Sequence, residues 1–189
     1  WPVFLNAFHW KTEEHVVRRE LLFGSGDAYD QRRIDESARA LRNQTIFAFV
    51  RIVAVKPTAL DAAADTVDVL VFTRDLWSLR AETTFSVTDG LVDLFALNLI
   101  ERNLFGENIQ AAVELALRPA NWSLTESYTD RRVLGTRLRV AESIGLDFAN
   151  DGGLEGTRGG LEVGVPLWDL RPRWGWEAAA ADRPSKRVG

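Results

Sequence analysis

From residue 77 onward the sequence alternates between apolar and polar side chains, and this two-residue period restricts the fold more than any other feature. Every second residue from Trp77 to Val87 is apolar or a threonine, and the residues between them are polar. Successive side chains of a β-strand point to opposite faces, so the pattern predicts a strand with one apolar and one polar face. Asp89-Gly90 then gives a two-residue hairpin signal. The alternation returns in five further stretches: 91–101, 109–117, 138–148, 160–167 and 173–177.

Two kinds of fold are compatible with these six predicted strands. In a transmembrane β-barrel the apolar face meets lipid and the charged face lines the lumen, whereas a soluble sandwich or barrel buries the apolar face. Most of the stretches run about ten residues, against roughly five or six in globular proteins, which favours the membrane barrel. An aromatic girdle would place tryptophans near strand ends or in loops. Five of the seven tryptophans have such positions: Trp77, Trp122, Trp168, Trp174 and Trp176.

Residues 1 to about 75 follow a different pattern, which predicts a compact α+β unit in the order strand, helix, helix, strand, strand. An apolar segment at residues 3–8 predicts the first strand, and the segments 46–55 and 67–74 predict the other two. Asp61 to Asp65, with three alanines between them, read as a turn or linker.

Two helix signals lie between the first and second of these strands. Thr12 is a candidate N-cap for a helix that runs to about Phe23, where Gly24-Ser25-Gly26 ends it. Asp30 is a candidate N-cap for a second helix. Its apolar stripe, with the spacing i, i+4 and i+7, consists of Ile34, Ala38 and Leu41.

The composition argues against a catalytic or metal-binding role. There are no cysteines, which excludes disulfides, thiolate metal sites and cysteine catalysis. His9 and His15 are the only histidines, and their spacing does not suggest a metal site. A net charge of −4 gives no basic surplus for a nucleic-acid partner. We therefore expect no enzymatic activity, no metal, no cofactor and no nucleic acid.

Charged residues of the predicted strands share the polar face, and their spacing does not pair two carboxylates for acid–base chemistry. Mixed charges on that face are ordinary in the lumen of a barrel. The carboxylates are Glu82, Glu114, Asp147 and Glu162, and the arginines are Arg80, Arg118, Arg137, Arg139 and Arg158.

Five stretches, taken in their order along the chain, carry a family resemblance. They are HVVRRELLFGSGDAYD (15–30), IDESARALRNQTIF (34–47), VDVLVFTRDLWSL (67–79), IERNLFGEN (100–108) and LEVGVPLWDLRPRWGW (161–176). They resemble the bacterial outer-membrane assembly-factor superfamily, the BamA/TamA-like proteins, in which POTRA domains precede a β-barrel. The first two are similar to the POTRA helices and the third to the last POTRA strand. The fourth is similar to the first barrel hairpin, and the fifth to a turn between later strands.

The resemblance implies an α+β POTRA domain (β-α-α-β-β) at residues 1–75, followed by antiparallel all-β transmembrane barrel strands at residues 76–189. It implies a factor that inserts or translocates polypeptides at the bacterial outer membrane without chemical catalysis, with its N-terminal domain in the periplasm. The implied partners are client outer-membrane polypeptides, the lipid bilayer, and periplasmic or lipoprotein accessory subunits. Family barrels have more than six strands and the chain does not start with methionine, so we expect a fragment truncated at both ends.

In such a barrel the first strand would be the seam edge, which offers unpaired N–H and C=O groups to a client strand. Proline at alternate positions from Ser78 to Ser86 is then expected to abolish insertion while the POTRA unit still folds. The residues assigned to the seam strand are Trp77, Ser78, Leu79, Arg80, Ala81, Glu82, Thr83, Thr84 and Phe85. The family-like hairpin motif consists of Asn103, Leu104, Phe105 and Gly106.

Two alternative functions stay open from the sequence. One is a soluble β-rich protein that binds a small apolar ligand inside a closed sheet, and solubility as a monomer without detergent would favour it. The other is the membrane anchor of a patatin-like secreted lipase, since such lipases also precede a POTRA domain and barrel of this kind. The catalytic Gly-x-Ser-x-Gly element of a lipase does not occur in these 189 residues.

Overall fold

A computed structural model of the chain describes residues 10–57, 65–167 and 174–182. In this part of the chain a small α+β unit precedes a seven-stranded antiparallel sheet. The predicted first strand, at residues 3–8, lies outside the described residues, as does most of the predicted turn at 61–65. None of the described helices combines the length and the apolar character needed to cross a membrane.

The first helix is shorter than the sequence predicts. Helix α1 covers only Glu14–Arg18, and no side chain caps its N-terminus. The Thr12 hydroxyl instead accepts a hydrogen bond from Asn103 Nδ2 at 3.0 Å, which makes the predicted cap wrong. Beyond α1 the backbone leaves the helix, and the Glu20 carboxylate pairs with Arg132. The predicted continuation of the helix is therefore also wrong, because contacts with distant residues override the local helix signals.

The second helix confirms its sequence pattern. Helix α2 covers Gln31–Asn43, and the Asp30 carboxylate accepts a hydrogen bond from the Arg32 amide at 2.9 Å, as an N-cap does. Its apolar stripe is buried, and the helix packs on strand β1 (Phe47–Val55). Strand β1 pairs antiparallel with β2 (Asp68–Asp75), so both predicted strands are confirmed. The core of the unit contains Val16, Leu41, Ile46, Phe47 and Val50.

The remaining strands form one antiparallel sheet in which each strand pairs with the next along the chain. Asp89 and Gly90 have φ values of 52° and 79° and join the first two strands, which confirms the predicted hairpin. A short 3-10 turn, Val133–Gly135, lies between the fourth and fifth strands of the sheet. The strands are β3 (Leu79–Thr88), β4 (Leu91–Leu104), β5 (Ile109–Leu117), β6 (Asn121–Asp130), β7 (Arg139–Ala149), β8 (Leu154–Val165) and β9 (Trp176–Asp182).

The sheet has one strand more than the six predicted, because β6 does not show a clean alternation. Glu126 and Asp130 interrupt its apolar face, and Ser and Thr alternate along the other face. Strand β8 begins earlier than predicted, since Thr157 and Gly159 stand where apolar side chains would continue the alternation. The segment Asn103–Gly106 lies at the turn between β4 and β5, so it belongs to the second turn of the sheet and not to its first hairpin.

In this sheet the apolar face is exposed and the opposite face is more buried, which is the reverse of the arrangement in a soluble sandwich. The register places Phe85, Leu99 and Ile144 on one face, and 63%, 46% and 53% of their surfaces are exposed. The opposite face carries small and polar residues, and Ala116 and Ser123 on it are buried. A soluble sandwich buries its apolar face, whereas a lipid-facing sheet exposes it.

Candidate functional site

Strand β3 is an edge of the sheet, because it pairs with β4 on one side and with no described strand on the other. All the predicted seam residues lie along this edge. Trp77 and Ser78 come directly before β3, and residues 79–85 lie within it. The side chains of β3 beyond Leu79 are exposed, and Ser78 is buried where the edge meets the rest of the chain.

The register between β3 and β4 determines which backbone groups of this edge are free. The Arg102 amide donates a hydrogen bond to the Ser78 carbonyl at 3.2 Å. Hydrogen-bonded and non-hydrogen-bonded pairs alternate along antiparallel strands, so the even-numbered residues 80–84 are the ones that bond to β4. The N–H and C=O groups that point away from the sheet are therefore those of Leu79, Ala81, Thr83 and Phe85.

The side chains of the edge strand divide cleanly between the two faces. Residues 79, 81, 83 and 85 share the apolar face, where Phe85 lies opposite Phe95 on β4. Arg80, Glu82 and Thr84 share the polar face. A strand added at this edge would thus meet apolar side chains on one face and polar side chains on the other. The edge selects for a partner with the same two-residue alternation.

The opposite edge of the described sheet has a different character. Strand β9 pairs with β8 alone among the described strands, and its centre consists of Ala178–Ala181. These four alanines are exposed and offer little side-chain surface to a neighbouring strand. The two edges therefore share free backbone groups, but β3 carries large apolar side chains along its length, whereas on β9 only Trp176, at its first position, is large and apolar.

Asn103 attaches the β4–β5 turn to the N-terminal unit. Its side chain is buried, and its Nδ2 donates hydrogen bonds to the Trp10 carbonyl at 3.2 Å and to Thr12 Oγ1 at 3.0 Å. Its Oδ1 accepts a hydrogen bond from the Asn108 amide at 2.9 Å, within the turn itself. A carboxamide both donates and accepts hydrogen bonds, so this one side chain connects two segments of the chain.

The rest of the predicted hairpin motif lies at the same contact. Phe105 and Gly106 have φ values of 57° and 78°, and the Phe105 ring packs edge-on against Trp10, with 5.5 Å between ring centroids. The Gly106 carbonyl accepts a hydrogen bond from the Glu13 amide at 3.0 Å. A Cβ atom at residue 106 would lie 2.3 Å from the Lys11 carbonyl oxygen, so only glycine fits there.

Glu107, which follows the motif, binds two basic residues of the N-terminal unit. Its carboxylate lies 2.8 Å from His15 Nε2, and its carbonyl accepts a hydrogen bond from Arg19 Nη2 at 2.9 Å. Burial lowers the pKa of Arg19, Glu20 opposes this change, and Arg132 lowers the pKa further. Arg19 is therefore a partly buried cation in the contact between the unit and the sheet, with charged neighbours of both signs.

A buried ion pair completes this contact. Arg132, after β6, donates through Nε to Glu20 Oε1 at 2.6 Å and through Nη2 to the other carboxylate oxygen. The two side chains are 9% and 4% exposed, and Arg137 adds a second cationic group 3.6 Å from Glu20. A two-pronged pair of this kind fixes both distance and orientation. Sequence reasoning missed it, since its only local signal is one glutamate among the apolar residues of segment 16–23.

Ion pairs also occur on the polar face of the sheet, where the sequence predicts mixed charges. Arg158 Nη2 lies 3.0 Å from Asp147 Oδ1, and Arg139 Nη1 lies 3.1 Å from Glu162 Oε2. Within the described ranges, no group of three or more His, Cys, Asp or Glu side chains is placed to hold a metal ion. The arrangement offers strand pairing and electrostatic contacts, and Arg158 and Arg139 neutralise the carboxylates of Asp147 and Glu162.

The chain has both a sequence similarity and a structural similarity to known proteins. No protein-family model matches the chain. Over 144 residues the chain is 28% identical to a Treponema pallidum (strain Nichols) protein named "Putative outer membrane protein assembly factor". The match covers 72% of this chain but only 16% of that protein, so the chain spans a small part of its relative.

The structure is also similar to the crystal structure of BamA from Haemophilus ducreyi lacking POTRA domains 1–3. The TM-score is 0.57 at 12% identity, over 82% of this chain and 29% of that chain. The antiparallel sheet is similar in fold to part of the BamA barrel. At this identity the likeness concerns the fold alone. The two similarities confirm part of the resemblance seen in the motifs, namely a distant relationship to an outer-membrane assembly factor and a BamA-like antiparallel sheet.

Proposed function

We propose that the chain is part of an outer-membrane factor that assembles or translocates client polypeptides by strand pairing, without chemical catalysis. The proposal is supported by the sequence similarity to an assembly factor and by the BamA-like fold. The exposed apolar face of the sheet suits a lipid environment. The implied site of action is the bacterial outer membrane, and the implied partners are client strands and the bilayer.

In this proposal the N-terminal α+β unit is the POTRA-like domain, and the chain from about residue 76 begins the barrel. The unit contacts the β4–β5 turn and the segment after β6, which lie at the same end of the sheet. That end would be the periplasmic one, where accessory periplasmic or lipoprotein subunits have access to the unit. The Asp89-Gly90 hairpin, at the other end of β3, would face the outside of the cell.

The observation that carries the proposal is the free edge of β3 beside an exposed apolar face. A strand edge binds another strand through its unpaired N–H and C=O groups, and apolar side chains at alternate positions add specificity. Along β3 those groups belong to the odd-numbered residues 79–85, whose side chains are on the apolar face. A client strand with lipid-facing residues at alternate positions matches both the free backbone groups of this edge and its apolar side chains.

Proline substitution tests the proposal, and the register specifies where to place it. Ala81→Pro removes a free N–H at the edge and spares the hydrogen bonds between β3 and β4, because proline is tolerated at strand edges. We expect the full-length protein with Ala81→Pro to fold in the membrane and to lose at least tenfold of its rate of client insertion into liposomes. Ala81→Val, which keeps the N–H, is the matched control and should retain the rate.

A second proline separates loss of the edge from loss of the sheet. Glu82→Pro removes a donor to β4 and should destabilise the sheet itself, which gel mobility before and after heating measures. Client insertion at the wild-type rate by a folded Ala81→Pro protein would sink the strand-pairing mechanism. The soluble ligand-binding alternative requires a buried apolar face, and the exposure of Phe85, Leu99 and Ile144 speaks against it.

A further inference from the structure

A cleft between the N-terminal unit and the sheet concentrates arginine side chains. Its volume is about 300 Å³, and it lies between helix α2, the segment that joins β6 to β7, and residues 166–167 after β8. The charged residues that line it are Glu20, Arg39, Arg131, Arg132, Arg137 and Arg139. Five cations and one anion line this cleft, although the whole chain is acidic.

The carboxylates near the cleft are already engaged. Glu20 binds Arg132 through both oxygens and also has Arg137 at 3.6 Å. Arg139 has Glu162 at 3.1 Å and Glu177 at 3.9 Å. These pairs neutralise part of the positive charge, but they leave the cleft with more cations than anions.

Arg39 is paired with Glu36, so Arg131 is the cation of the cleft that no described carboxylate pairs with. Its guanidinium makes no hydrogen bond or ion pair with any residue among 10–57, 65–167 and 174–182. Burial lowers the pKa of Arg131, and the neighbouring charges of Arg139 and Arg102 lower it further. The Arg102 Nε atom is itself buried without a described partner. A partly buried cation surrounded by other cations is costly, and an anion in the cleft removes that cost.

We propose that this cleft binds a phosphate group, with Arg131 as a direct contact and Arg139 as its neighbour. A guanidinium presents paired N–H donors that match phosphate oxygens, and a doubly charged anion suits several converging arginines better than a single carboxylate does. The group could come from free phosphate or a soluble phosphate ester, or from an anionic lipid headgroup at the membrane surface. The inference does not depend on the strand-pairing function, because it concerns binding alone.

Calorimetric titration of the whole protein in detergent micelles at low salt tests the proposal, with inorganic phosphate and pyrophosphate as the probes. We expect Arg131→Gln to weaken binding by at least tenfold, since one charge-assisted contact is lost. Arg118→Gln is the matched control: it makes the same change in charge near the β5–β6 turn, at the other end of the sheet, and should leave binding unchanged. Equal binding by the Arg131→Gln and wild-type proteins, or no binding of phosphate or lipid, overturns the proposal.

The source of the phosphate is distinguished by native mass spectrometry in micelles that contain phosphatidylglycerol or phosphatidylcholine. Retention of phosphatidylglycerol that is lost in Arg131→Gln identifies a lipid headgroup, and binding of only the inorganic probes identifies a soluble source. Glu162→Gln is a second variant that keeps the test decisive if Arg131→Gln does not fold. It removes the nearer of the two carboxylates beside Arg139 and should raise phosphate affinity severalfold. An unchanged affinity in this variant counts against the site.

Discussion

The N-terminal unit and the seven-stranded sheet bury opposite kinds of residue, although they belong to one chain. In the unit, Val16, Leu41 and Ile46 are at most 1% exposed, as in the core of a soluble domain. In the sheet large apolar side chains such as Phe85, Leu99 and Ile144 are exposed, and the buried face contains residues such as Ala116 and Ser123. The unit is thus arranged for water outside and the sheet for an apolar medium outside.

The contact between these two regions is largely polar. The end of the sheet that meets the unit cannot be lipid-facing, and it is joined to the unit by hydrogen bonds from Asn103 and by the Glu20–Arg132 pair. Apolar packing contributes the edge-on contact of Trp10 with Phe105. Directional contacts fix the orientation of the unit relative to the barrel-like sheet, which non-directional apolar packing does less well.

The largest effect we predict comes from breaking that polar contact. Arg132→Ala leaves the Glu20 carboxylate buried without its main partner, and removal of one member of a buried pair costs about 3–5 kcal/mol. Chemical denaturation followed by circular dichroism should show this loss in the unfolding of the N-terminal unit. Arg158→Ala, which breaks a more exposed pair with Asp147, is the control and should cost no more than about 1 kcal/mol. Equal losses in the two variants would contradict the proposed importance of the contact.

Substitution of one leucine in each region tests directly whether apolar side chains are buried in the unit and exposed to lipid in the sheet. Leu41→Ala removes a fully buried side chain of the unit and should cost about 2–5 kcal/mol of its free energy of unfolding. Leu99→Ala should change the stability of the sheet in lipid by less than about 1 kcal/mol, because lipid tails are as apolar as the leucine they contact. Denaturant titration in liposomes measures both variants.

The reverse substitution checks which medium surrounds the sheet. Leu99→Arg should cost up to about 2–4 kcal/mol in a bilayer, where charge on a lipid-facing strand is unfavourable near the midplane. On a water-exposed sheet the same arginine would change little. A stable sheet with Leu99→Arg in liposomes would therefore remove the contrast between the two regions.

The sequence predicted those elements whose signals are local and periodic. Asp30 and the stripe of Ile34, Ala38 and Leu41 gave α2, and the alternation from Leu79 to Val87 gave β3 with its correct neighbour across Asp89-Gly90. These signals are reliable because a cap, a stripe and a hairpin turn each depend on residues only a few positions apart.

The errors have a common physical cause, which is that other parts of the chain determine local structure. Thr12 has the residue type of an N-cap, but its hydroxyl binds Asn103, 91 positions away. Strand β6 lacks alternation of its own, and its pairing with the regular strands β5 and β7 defines it. The free edge of β3 was predicted as a strand, but the backbone groups it exposes follow from its register with β4.

The smallest effect we predict comes from the cap of α2. Asp30→Ala removes the acceptor for the Arg32 amide and should lower the free energy of unfolding of the unit by about 1 kcal/mol, whereas Asp30→Asn keeps an acceptor and should be close to neutral. Because the two regions are stabilised in different media, we expect only the transition of the unit to shift, with the heat-induced change in gel mobility of the sheet unaltered. If both transitions shift together, the polar contact couples the two regions into one cooperative unit, and a change in the unit would be transmitted to the sheet directly.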